Sequence, residues 1–166
     1  IGTDMGTIGL YVSEGGMSAE TAHGVGALGV GFDYVSPSTF VHSYDVDGYA
    51  NVQYHTPADL LPFGIGVKLG YVPNMNNTTM LSAKESSGVP ATQAEGRTMT
   101  MAQVTAAPID GLSIKGSIAE TGDGTPAAGT HDDGISANLG AKYTIGQLTV
   151  GYTEGGYQAA TGSATN

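Results

Sequence analysis

The feature that most constrains this chain is a period-two alternation of apolar and polar residues. It is cleanest over Ile135–Glu154, ISANLGAKYTIGQLTVGYTE. Apolar Ile135, Ala137, Leu139, Ala141 and Tyr143 interleave with Ser136, Asn138, Gly140, Lys142 and Thr144, and the pattern resumes at Leu148, Val150 and Tyr152. Successive side chains of a strand point to opposite faces, so this segment reads as a β-hairpin with one apolar and one polar face. In a soluble sandwich such an apolar face packs on a core. In a transmembrane barrel it faces lipid, while the polar face lines water.

The same alternation recurs in Asp4–Val12, Tyr49–His55, Gly64–Val72, Thr98–Ala106 and Leu112–Glu120, which with the hairpin makes about seven strands. Thr98–Ala106 is the irregular member, because Met99 and Met101 share one phase while Ala102, Val104 and Ala106 share the other. A bulge or a shifted register would produce that conflict. The connections alternate in length. Thr56–Phe63, Ala107–Gly111 and Ile145–Gln147 are short, whereas Ser13–Gly48, Pro73–Arg97 and Thr121–Asp133 are long, polar and glycine-rich. Short turns at one end and long loops at the other are the asymmetry of an outer-membrane barrel. Val25–Val35 also has strand phase at Leu28, Val30, Phe32 and Tyr34. Counting it as one strand breaks that parity, so Ser13–Gly48 is preferred as one long ordered loop. A second strand near Phe40–Val46 is the other solution.

Composition narrows the function. Fifteen acidic against five basic residues give a net charge of −10, which argues against nucleic acid as a partner. The absence of cysteine suits an exported protein and many cytosolic ones alike. No apolar run approaches the ~20 residues of a transmembrane helix, and barrel strands need only ~9–11 alternating residues. No GxSxG elbow, P-loop or cysteine nucleophile is present, and no enzyme is expected. Gly24–Gly29 matches GxGxxG by letter but lacks the strand–turn–helix context that gives the motif meaning. His23, His42, His55 and His131 have no metal spacing. Asp45-Val46-Asp47-Gly48 and Thr121–Gly134 contain Asp-Gly turn chemistry without the later ligands of a calcium loop, so no metal or other cofactor is expected.

Tyr49–Pro73, YANVQYHTPADLLPFGIGVKLGYVP, resembles the general porins of Gram-negative outer membranes, in which a strand ends in Tyr-x-Ser/Thr-Pro, turns, and returns to Tyr-x-Pro. IDGLSIKGSIAE and AKYTIGQLTVGYTE are similar to later hairpins of that family, and DMGTIGL to the strand before its constriction loop. The resemblance implies an antiparallel up-and-down β-barrel of about sixteen strands. Residues 1–166 would form part of its single domain, incomplete at both ends, with 13–48 as the constriction loop. It further implies a homotrimer in outer-membrane lipid and lipopolysaccharide that passes small hydrophilic solutes.

Two residue sets fit that expectation. Lys68, Lys115 and Lys142 occupy the polar phase, and the candidate loop carries Glu14, Glu20, Asp33, Asp45 and Asp47, so these are the expected pore-lining charges. The acidic loop suggests modest cation selectivity. Tyr54, Tyr71, Tyr143 and Tyr152 lie on the apolar phase at or near strand ends, where a membrane-interface girdle places aromatic rings. The alternative is a secreted or surface β-rich adhesin or fibre module, with the same strands around a buried core and no channel.

Overall fold

The computed structural model describes residues 1–12, 14–17, 44, 46–57, 59–75, 98–122, 131–158 and 161–162. Its main element is one eight-stranded antiparallel sheet, made of β1 (Gly2–Thr3), β2 (Gly6–Val12), β3 (Ala50–His55), β4 (Gly66–Val72), β5 (Met99–Ala106), β6 (Leu112–Thr121), β8 (Ile135–Ile145) and β9 (Leu148–Gln158). Each strand pairs with the next one in that series, so the sheet runs up and down without crossovers and is open within the described residues. Among those residues there is no helix long and apolar enough to cross a membrane. The seven strands longer than two residues fall on the six alternating segments from Asp4 to Glu154, the hairpin supplying two of them. The short pair β7 (His131–Asp132) and β10 (Thr161–Gly162) prolongs the β8–β9 hairpin past Ile135↔Gln158 in the same register.

Turn chemistry fixes the hairpins at one end. Ile145↔Leu148 closes a two-residue turn whose first central residue, Gly146, has φ 57°. Glycine at that position, with φ > 0, is what a tight hairpin matching the strand twist requires. Between β3 and β4, Thr56 N donates to Val67 O at 2.9 Å and Val67 N to Thr56 Oγ1 at 2.9 Å, so the threonine locks both sides of the turn. Ala107 N reaches across to Phe63 O at 3.0 Å, joining this turn to the β5–β6 turn.

The register through β5 is one-to-one, Gly66↔Thr105 to Val72↔Met99 on one side and Met99↔Thr121 to Ala106↔Ile114 on the other. There is no bulge. Met99 and Met101 therefore stand on the polar phase, and what makes them compatible with it is what covers them. The buried apolar cluster is Met17, Tyr44, Val46, Tyr49, Val72, Met75, Met99, Met101 and Ala119. Its strand members all lie on the polar phase, at the end of the long connections. Residues that precede or follow the strands pack over that face.

Among the described residues nothing covers the opposite face. Register partners carry an apolar surface across the sheet, Ile8↔Tyr54↔Leu69↔Ala102↔Ile118↔Ala137 in one row and Leu10↔Val52↔Tyr71 in the next. Leu10 is 81 % exposed and Leu139 51 %, whereas Gln53 and Ser136 on the other face are 1 % and 2 % exposed. The usual arrangement of a soluble sheet, apolar inside and polar outside, is inverted.

Candidate functional site

The polar face is where chemistry can happen. Strand β3 contributes Asn51, Gln53 and His55 in sequence along it. Asn51 Nδ2 donates to Tyr49 O at 2.8 Å and lies 3.1 Å from both Val46 O and Glu14 O. Gln53 Nε2 donates to Asn51 Oδ1 at 2.9 Å and to Glu14 O at 3.2 Å, and its Oε1 meets His55 Nε2 at 2.7 Å. Tyr11 stacks beside His55 with ring centroids 6.3 Å apart. This amide ladder ties the covering chain to the wall, adding donors to the carbonyls of Glu14, Val46 and Tyr49, the second of which also accepts from Tyr49 N at 3.2 Å.

Three further contacts hold the same cover. Lys68 Nζ donates to Gly16 O at 3.1 Å. Tyr44 N donates to Ser136 Oγ at 3.0 Å, 92 residues apart in sequence. Met17 and Val46 fill the space over Gly70, where a Cβ would stand 2.9 Å from Met17 Sδ and from Val46 Cγ1. The described ends of the 13–48 segment thus lie on the polar face.

The expected pore-lining residues fall as follows. Lys68, Lys115 and Lys142 are on the polar face of β4, β6 and β8. Among the described residues, Lys115 and Asp47 are charges that act on the half-buried Lys68, with Asp47 in the 3₁₀ turn Val46–Gly48. Glu14 is exposed, and the contacts above use its backbone carbonyl. Glu20, Asp33 and Asp45 lie outside the described residues, as do Val25–Val35, the Gly24–Gly29 match, His23 and His42.

The four tyrosines are all on the apolar face. Tyr54 donates through its hydroxyl to Met5 O near the short-turn end. Tyr71 is one residue from the long-loop end of β4 and is 43 % exposed. Tyr143 pairs with Leu112 and Val150, two residues from the end of β8. Tyr152 is mid-strand and donates to Glu154 Oε2 at 2.8 Å.

Two features were missed from the sequence. Asn51 and Gln53 are neutral and stand in an ordinary alternating strand, so only their burial marks them. Ser117 is the other: it is buried on the polar face and its Oγ has no hydrogen-bond partner. Among the described residues no three of His, Asp and Glu converge as a metal site would need. No family model matches the chain, and neither do the curated proteins or the solved structures with which it was compared.

Proposed function

We propose that this chain is part of the wall of a water-filled outer-membrane channel of the porin kind, with residues 13–48 narrowing its lumen. The observation that carries this reading is the inverted sheet. An apolar surface runs uncovered across seven strands, while the chain's own Met17, Tyr44, Val46 and Met75 cover the polar face. A soluble protein loses ~25 cal/mol for every Å² of apolar surface left in water, and large exposed apolar patches mark a partner. Hydrocarbon is the partner that suits a surface this continuous and this poor in charge. Amides, hydroxyls and lysines then meet water on the inside.

As proposed, the channel passes small hydrophilic solutes and ions down their gradients, without catalysis or cofactor. It sits in outer-membrane lipid and lipopolysaccharide as a homotrimer, and the acidic loop gives it a modest cation preference. The test is to fold the chain in detergent, with and without flanking sequence, and record conductance in planar bilayers. Discrete, ohmic channels are expected. A folded, detergent-independent protein that never conducts would replace this reading with that of a surface β-module.

A further inference from the structure

We propose that Tyr11 and His55 form a stacking subsite on the polar wall, which takes the apolar face of a sugar ring from a passing saccharide. It rests on the channel reading and names a solute class that reading leaves open.

Three observations carry it. The first is an aromatic ring on a wall that is otherwise polar. Tyr11 pairs with Asn51, and its same-face neighbours Gly9 and Thr7 pair with Gln53 and His55. Tyr54, Tyr71, Tyr143 and Tyr152 stand on the apolar face, and Tyr44 and Tyr49 belong to the buried cluster under the cover. Tyr11 belongs to neither group and is half-buried, as is His55. Neither lipid contact nor core packing accounts for a ring at this position.

The second is how the ring lies. A Cβ at Gly9 would overlap Cε2, Cζ and Oη of Tyr11, so the ring is folded down over the bare backbone of Gly9. A ring laid on the backbone turns one face to the wall and the other to the lumen. His55 extends that surface, with ring centroids 6.3 Å apart and planes within 15° of each other. Near-parallel rings at this separation form an offset pair that is broader than either ring alone. The contact of His55 Nε2 with Gln53 Oε1 at 2.7 Å orients the imidazole, and Gln53 is itself tied to Asn51 and to Glu14 O. The plate is therefore set before any solute arrives, which lowers the cost of binding.

The third is the rim. Thr7, which is exposed, partners His55 on β2, and Lys68 partners it on β4, so a hydroxyl and an ammonium flank the plate. An apolar plate bordered by a few hydrogen-bonding groups matches a pyranose, whose C–H face is apolar and whose hydroxyls ring its edge. A cationic solute is disfavoured by Lys68, and an unsubstituted aromatic ring offers the rim nothing to bond.

The experiment uses the whole chain folded in detergent, with maltotriose as probe and sorbitol, which has hydroxyls but no ring, as its control. Saturation-transfer NMR should show magnetisation passing from the protein to the ring protons of maltotriose and not to sorbitol. Tyr11→Ala should weaken maltotriose binding roughly tenfold, the scale of one stacked aromatic contact, while Tyr11→Phe keeps it. Tyr11→Leu fills the space over Gly9 without an aromatic face and should weaken binding too, which guards against loss through misfolding. His55→Ala should weaken it by a smaller factor. Equal transfer to sorbitol, or binding that survives both Tyr11→Ala and Tyr11→Leu, overturns the proposal. In planar bilayers maltotriose should reduce the potassium chloride current with the same dependence on Tyr11. Tyr11-dependent transfer without conductance keeps the subsite and removes the channel, whereas conductance without transfer keeps the channel and removes the subsite.

Discussion

Met17 occupies the space that Gly70 leaves by having no side chain, with a Cβ at Gly70 falling 2.9 Å from Met17 Sδ. A residue that follows β2 is thereby seated on β4, and the glycine is required by close approach rather than by backbone conformation. Gly70→Val should push Met17 and Val46 off the wall. Overpacking of this kind costs about 1–3 kcal/mol. Thermal unfolding should shift down accordingly while the strand content seen by circular dichroism is kept. An unchanged midpoint would mean that the cover does not rest on Gly70.

Asn51 is the second anchor, and it acts through hydrogen bonds rather than shape. Its amide serves the carbonyls of Glu14, Val46 and Tyr49, and Gln53 shares the first of these. Asn51→Leu keeps the volume and takes one donor from each of three carbonyls, a loss on the scale of ~1–3 kcal/mol. Limited proteolysis should then cut within 13–48 well before the sheet unfolds. On the channel reading, in which the same segment narrows the lumen, single-channel records should gain open-state noise. Gln53→Leu should do this more weakly, because Asn51 still holds Glu14.

Facing can be tested with one residue and its neighbour. Ile118 is 53 % exposed on the apolar face, and Asn138 lies on the other face of the adjacent strand. An arginine on a lipid-facing strand costs about 2–4 kcal/mol near mid-depth and little on the lumen side. Ile118→Arg should lower folding yield into vesicles and the denaturant midpoint, whereas Asn138→Arg should fold as the parent does. Equal tolerance at both positions would argue that the apolar face does not meet hydrocarbon.

The strands and their two phases were legible because alternation reports directly on which face is wet. Ile8, Leu10 and Val12, or Ile135, Ala137 and Leu139, need no further information. Met99 and Met101 were not legible. Alternation assumes that one face has one environment along its whole length, and here the polar face is wet toward the short turns and buried toward the long loops. The conflict in Thr98–Ala106 was the trace of that change, and no bulge was needed. The lysines stood out through their charge, whereas Asn51, Gln53 and Ser117 carry none. What marks them is burial, and burial depends on a covering segment far away in sequence.

Ion preference follows from where the charges stand. The 13–48 segment carries five carboxylates and no Lys or Arg, while the polar wall carries Lys68, Lys115 and Lys142. The Debye length is ~8 Å at physiological salt, so a carboxylate on the cover and an ammonium on the wall both act across a narrow lumen. On the channel reading the acidic segment gives a modest cation preference, read as a reversal potential across a potassium chloride gradient. Asp47→Asn removes an acid that acts on Lys68 and should weaken that preference. Lys115→Gln should strengthen it. A reversal potential indifferent to both substitutions would place Asp47 and Lys115 away from the permeation path.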